Sequence, residues 1–328
     1  MWVTALSSTS PPPKLGSADK PAGPRDTFAP APYRDPDVRK AILERWPAIA
    51  VPQPPSSPQD PAALADHVYM GQELTEVLET FVTPVSVARS LSQQVGGTAD
   101  EVVPNGKTRL DSTTGLWVVD HDGRFPGGGP ILEVDTPPLV AATEPVIGQA
   151  MATLQQVGDP EPTVGGGHIH VDGAPFLASP RLLSRFLQTY LHVEPALLAA
   201  FRHPMRTHAA RGFCEMEHPE DIKQALAALG ECSKDALPDA VLNLIERFDL
   251  HREMALNIRS LCGVKSGNKK SKGTIEIRLF DTPGSPEMMA RQHHVLRLIL
   301  AYALSDRPLP SLEAEPISDP QAMMDYLT

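Results

Sequence analysis

Four segments of this chain alternate apolar residues with carboxylates, imidazoles or a guanidinium, and that alternation limits the folds open to it. "HIHVDG" sets His168, His170 and Asp172 against Ile169 and Val171. "GTIEIRLFDT" sets Thr274, Glu276, Arg278 and Phe280 against Ile275, Ile277 and Leu279. "ILEVD" sets Glu133 and Asp135 against Leu132 and Val134, and "ELTEVLETFVTP" gives Glu73 and Glu79 one parity and Glu76 the other. Residues two apart on a strand share a face. Each segment therefore reads as a strand with one side for a core and one side for water, a partner or a ligand, because buried polar groups need partners. If the four share a sheet, the polar side becomes an acidic cradle.

Helical patterns separate these strands. "VSVARSLSQQVGG" ends at glycine, as a helix stop does. "EPVIGQAMATLQQVG" is amphipathic. "SPRLLSRFLQTYLHVEPALLAAFR" is a long helix with a break expected near Pro195. "EDIKQALAALG" and "DAVLNLIERFDL" follow, and "SPEMMARQHHVLRLILAYALS" closes the fold with Ser285 as N-cap. "GLWVVDHDGRF" adds a strand. Irregular alternation without a repeat gives an α+β class: a mostly antiparallel sheet with flanking helices on one side.

The first 62 residues hold 14 of the chain's 35 prolines. "STSPPPKLGSADKPAGPRD" and "VPQPPSSPQDP" lack the apolar residues to build a core, so residues 1–62 read as a disordered Pro-rich arm and 63–328 as the folded, catalytic domain. Within the arm, "DPDVRKAILERWPAIA" could form one short helix, capped by Asp35 or Asp37 and stopped before Pro47. The formal charge of −11 argues against a sequence-independent grip on nucleic acid, which needs a basic surface. Three cysteines without CxxC spacing do not suggest a disulfide framework and fit a reducing, cytoplasmic setting. No apolar run approaches the roughly 20 residues of a membrane span, and no signal peptide is evident.

Carboxylates with an imidazole are hard, oxygen-rich donors. They suit Mg2+ or Mn2+ better than zinc, whose tight sites are richer in Cys and His. Glu276 is a natural ligand for such a cation, and Arg278 can fork onto a phosphate or carboxylate. The loop "NIRSLCGVKSGNKKSKG" brings Arg259, Lys265, Lys269, Lys270 and Lys272 into the Glu276 strand, where they can meet phosphates or an anionic substrate. The chain has no GxxxxGK[ST] pattern, and "GGGHIHVDG" is not GxGxxG leading into a helix. An acidic cradle with arginine nearby suits Mg2+–ATP and phosphoryl transfer.

"GGGHIHVD", "ILEVDTPPL" and "GTIEIRLFDT", in the order Glu…His-x-His…Glu-x-Arg, resemble the carboxylate–amine ligases of the glutamine synthetase superfamily, and the amidoligase family most closely. The resemblance spans about residues 70–305. It implies a glutamine synthetase-like catalytic fold, with His168 and Glu276 as metal ligands, His170 and Arg278 beside the ATP phosphates, and Glu133 as a further metal glutamate. Asn257 falls in an "LN" ahead of the Glu-x-Arg strand, as in amidoligases, and Arg259 becomes the candidate substrate or phosphate arginine. The family's Gly-x-Glu-x-Glu opening fits in two registers. Aligned on Gly71, Glu73 takes the first glutamate. Aligned on "ETFVTP", Glu79 is the second glutamate and the metal ligand, and Glu73 sits near the outer end of the strand. The second register is the one expected here.

The implied activity is an ATP-dependent, Mg2+-dependent ligase joining a carboxylate to an amine, on small-molecule or peptide substrates. The rivals are a metal-dependent hydrolase using the same groups and a degenerate, non-catalytic scaffold whose Pro-rich arm docks a partner.

Overall fold

A computed structural model describes residues 61–78, 82–101, 107–124, 130–160, 166–202, 212–216, 219–261 and 273–328. The Pro-rich arm through residue 60, with its short helix, lies outside the described residues, and so do Glu79, Lys265, Lys269, Lys270, Lys272 and Cys262.

The strands are β1 (Met70–Leu78), β2 (Thr98–Glu101), β3 (Thr108–Ser112), β4 (Gly115–Arg124), β5 (Pro130–Asp135), β6 (Gly158–Pro160), β7 (Ile169–Asp172), β8 (Leu256–Asn257) and β9 (Thr274–Ile277). The helices are α1 (Pro61–Asp66), α2 (Pro84–Val95), α3 (Pro145–Leu154), α4 (Ala174–Ala178), α5 (Pro180–Phe201), α6 (Pro219–Gly230), α7 (Leu237–Arg247), α8 (Pro286–Leu304) and α9 (Pro320–Leu327). The class is α+β: the sheet runs β2-β3-β4-β5-β1-β7-β9-β8, with β6 on β1, and every pairing among the described strands is antiparallel. Among the described residues no helix is long and apolar enough to cross a membrane.

β1 joins the two halves of the sheet. It pairs with β5 along Glu73–Val77, and on its other edge with β7 through Met70–Gln72 and then with β6 through Glu76–Leu78. Where β6 gives way to β7, the Glu73 N–H donates to the His168 carbonyl (2.8 Å) and Thr75 Oγ1 donates to the Gly166 carbonyl (3.2 Å). Met70 lies in a large core with Ile169, Val171, Ile275 and Ile277 under α5 and α8. Leu74, on the same face of β1, lies in a smaller core with Leu132 and Val134 under α2 and α3. Both cores therefore occupy one side of the sheet. Each of these side chains is fully buried and contributes about 1.5–3 kcal/mol. Together they fix the register, since a slip of one residue would turn this face to the other side.

Local signals set the helix ends. Thr83 and Ser86 form a reciprocal capping box on α2, which stops at Gly96 in a left-handed conformation (φ 73°). Ser285 Oγ accepts the Met288 N–H (3.2 Å) and starts α8 as expected. α5 continues through Pro195, where a break was expected. Proline has no N–H for the ladder. Here the chain at Ile317 makes up the loss: its N–H donates to the His192 carbonyl (2.7 Å) and its carbonyl accepts the Ala196 N–H (3.0 Å). The alternation expected through Phe280 stops with β9 at Ile277; Phe280 instead enters the large core, edge-on to Phe201 at 5.2 Å.

Candidate metal centre

The side of the sheet opposite the cores carries one row of ionisable residues in register. Asp135 pairs with Glu73, Glu133 with Thr75, His170 with Gly71 and with Glu276, and Glu276 with Asn257. Neighbouring strands lie about 4.7–4.9 Å apart, so antiparallel pairing alone brings these ligand atoms together.

Glu73 is the centre of the row. Its Oε2 lies 2.6 Å from His168 Nδ1 and its Oε1 lies 2.8 Å from His170 Nε2. His168 Nδ1 also lies 3.6 Å from Glu276 Oε1. Glu276 accepts from Arg278 Nη1 at Oε1 (2.5 Å) and from Asn257 Nδ2 at Oε2 (2.6 Å). His170 Nδ1 faces Thr274 Oγ1 at 3.1 Å. Burial favours the protonated form of the Glu73 carboxyl, but the charges and hydrogen bonds of His168 and His170 outweigh it and hold the group well below its ordinary value. Burial also opposes ionisation of Glu276. The His170, His168 and Arg278 charges overcome both that burial and the repulsion from Glu73, and lower its carboxyl too.

Two sets of ligand atoms come within 4.8 Å of one another: Glu73, His170 and Glu276, and Glu73, Glu133 and Asp135. The sets lie on either side of β1 and share Glu73. This oxygen-rich donor set, with the Glu73 and Glu276 carboxyls held below their ordinary value, fits hard divalent cations such as Mg2+ or Mn2+.

Of the residues singled out from sequence, His168, His170, Glu133, Glu276 and Arg278 converge here. Glu79 and Lys265 lie outside the described residues. Glu73 is not near the outer end of its strand, where the chosen register put it; it is at the middle of the cluster. Leu78, the residue before Glu79, ends β1 five residues from Glu73, about 17 Å at strand rise. Arg259 is not drawn onto the carboxylates: its N–H donates to Asn257 Oδ1 (3.0 Å) and its Nη1 to the Leu250 carbonyl (3.3 Å). Asp135, on the expected face but not among the expected ligands, belongs to the second set. Asp172 turns away from that role: it is buried, and its Oδ1 accepts the Ala174 N–H (2.9 Å) at the start of α4.

Gly167, just before His168, serves a close approach. A Cβ on Gly167 would come within 2.4 Å of the Asp281 carbonyl oxygen. The Gly167 N–H donates to the Phe280 carbonyl (3.1 Å), which ties the entry to β7 against the exit from β9. No family model, curated protein or solved structure matches the chain.

Proposed function

We propose that this protein is an ATP-dependent carboxylate–amine ligase that uses Mg2+ or Mn2+. The observation that carries the reading is the pair of adjoining oxygen-rich ligand sets sharing Glu73, with Arg278 held at their edge by Glu276. The likeness of its motifs to the amidoligase family adds support, and on that likeness the fold is of the glutamine synthetase kind.

Glu73, His168, His170 and Glu276 would hold one cation, and Glu73, Glu133 and Asp135 a second. The cations, when bound, neutralise phosphate charge. The protein's own groups do the rest. Before a cation binds, His168 and His170 keep Glu73 ionised, and Asn257 and Arg278 orient Glu276. The Arg278 guanidinium is the group suited to a phosphoryl oxygen as negative charge grows on it. In the reaction, a substrate carboxylate oxygen attacks the γ-phosphorus of ATP and ADP leaves. The amine then attacks the acyl phosphate carbon, loses a proton, and expels inorganic phosphate to leave the amide. Positioning the three reactants accounts for much of the rate.

The test is ADP release in the presence of Mg2+, screened over amino acids, polyamines and short peptides as carboxylate and amine. Release that needs both a carboxylate and an amine supports the ligase. Metal-dependent bond cleavage without ATP would replace it with a hydrolase.

A further inference from the structure

Behind Glu73, on the helix side of β1, lies a buried chain of polar side chains that the cation reading does not use. Gln72 is 1% exposed, Gln292 0% and His293 1%. Gln292 Nε2 donates to the Asp281 carbonyl (3.0 Å), and Gln72 Nε2 donates to Gln292 Oε1 (3.1 Å). Gln72 Oε1 lies 2.9 Å from His293 Nε2, and His293 Nδ1 lies 2.8 Å from Glu144 Oε1. Arg297 Nη2 binds the same Glu144 oxygen, and its Nη1 donates to the carbonyls of Ala65 (2.6 Å) and Val68 (3.2 Å).

The protons along this chain follow from its ends. A backbone carbonyl only accepts, so Asp281 requires the amide nitrogen of Gln292. Gln292 Oε1 must then take an N–H from Gln72, which leaves Gln72 Oε1 for His293. His293 Nε2 therefore donates. At the other end, burial favours the neutral form of the Glu144 carboxyl, but the hydrogen bonds and charges of His293 and Arg297 bring it down to about 2, so it is a carboxylate that accepts from Nδ1. A neutral ring would set a lone pair against an oxygen on one side or the other.

We propose that His293 is a buried imidazolium that, with Gln292, holds Gln72 and so acts as a positioning residue for Glu73 and the carboxylate–imidazole cluster on the far side of β1. The proposal rests on that cluster being the functional site. Gln72 is where three constraints meet. Its side chain is tied to α8. Its backbone N–H donates to Thr136 Oγ1 (2.8 Å) and its carbonyl accepts the Thr136 N–H (2.9 Å), directly after Asp135. Its chain neighbour is Glu73. Side chains alternate across a strand, so a shift of Gln72 on the helix side moves the Glu73 carboxylate relative to His168 and His170. An amide at position 293 donates from one nitrogen only, so it cannot give an N–H to Gln72 Oε1 and to Glu144 Oε1 from opposite ends as the ring does.

The experiment uses the full, metal-free chain, isotope-labelled for proton–nitrogen correlation of histidine rings. The expected spectrum shows both His293 ring nitrogens protonated. In His293→Gln and in Gln292→Met, with circular dichroism and melting curves as fold controls, the ring signals of His168 and His170 should move as their bonds to Glu73 loosen. Mn2+ affinity read by electron paramagnetic resonance should fall about 10- to 100-fold, the range for groups that orient metal ligands. A single protonated nitrogen on His293 overturns the proposal. So do variants that melt earlier yet leave the His168 and His170 signals and the Mn2+ affinity unchanged, since the chain would then be structural only. If His293→Gln does not fold, Gln292→Met decides. Failure of the unmodified protein to bind Mn2+ would count against the cation reading alone; the His168 and His170 ring signals would still decide whether α8 positions Glu73.

Discussion

Glu194→Gln should stabilise this protein at neutral and alkaline pH, and by an amount that grows with pH. Glu194 sits in α5 with no exposure. One oxygen accepts the Cys214 N–H at 2.8 Å, and the other has no hydrogen-bond partner among the described residues. Burial, with the nearby Glu215 charge, raises its carboxyl from 4.5 to about 7, against the pull of the Cys214 hydrogen bonds. The folded value is the higher one. The contribution to stability is therefore fully present below about pH 4.5, where both states hold the proton, and is lost as pH rises to about 7. The two values lie about 2.5 pH units apart, and at about 1.4 kcal/mol per unit the loss is about 3 kcal/mol. A glutamine mimics the protonated acid and does not titrate. Urea unfolding of both proteins at about pH 4.5, 6 and 8 should show their difference moving toward the variant by about 3 kcal/mol across the series. The constant cost of burying an amide cancels in that trend. A difference that stays flat with pH would refute the reasoning, because Glu194 would then titrate alike in the folded and unfolded chain.

Gly167→Ala should lower stability by about 1–3 kcal/mol, since its Cβ meets backbone at Asp281 that cannot rotate away; an unchanged melting temperature would mean the two segments are not held together. Glu276→Ala should abolish ADP release while the circular dichroism spectrum stays that of the unmodified protein, and normal turnover would remove Glu276 from the site. Glu73→Gln should weaken Mn2+ binding at least about tenfold, whereas Glu79→Gln should leave it close to normal; the reverse order in a Mn2+ titration would restore the register centred on Glu79.

Much of the sheet was legible because period-two alternation is local. Ile169, Val171, Ile275 and Ile277 announce their buried face, and Ser285 and Gly96 mark helix ends by chemistry that acts within a turn. The polar faces of β5, β7 and β9 followed from the same rule. The centre of the site did not. Glu73 and Glu79 share a parity, so alternation does not separate them, and the likeness of "ETFVTP" to the family's strand favours Glu79 over Gly71-x-Glu73. What places Glu73 in the cluster is its pairing with Asp135 and its N–H bond to the His168 carbonyl, contacts about 60 and 95 residues away in sequence. Asp135 shares the parity of Glu133, so its face is readable from the sequence. Phe280 shows the limit of the rule, since alternation stops carrying information where β9 ends. The Gln72–Gln292–His293–Glu144 chain left no signal at all: each residue looks like a surface residue until α8 is laid on β1.

The proposed ligase reaction passes through an acyl phosphate, and oxygen transfer reads that intermediate directly. With the carboxylate substrate carrying heavy oxygen in both positions, each turnover in the presence of Mg2+ and amine should place one labelled oxygen in the released phosphate, with equal amounts of ADP and amide. Phosphate that draws its new oxygen from water, or no ADP release from the folded protein with any carboxylate and amine pair, would contradict it.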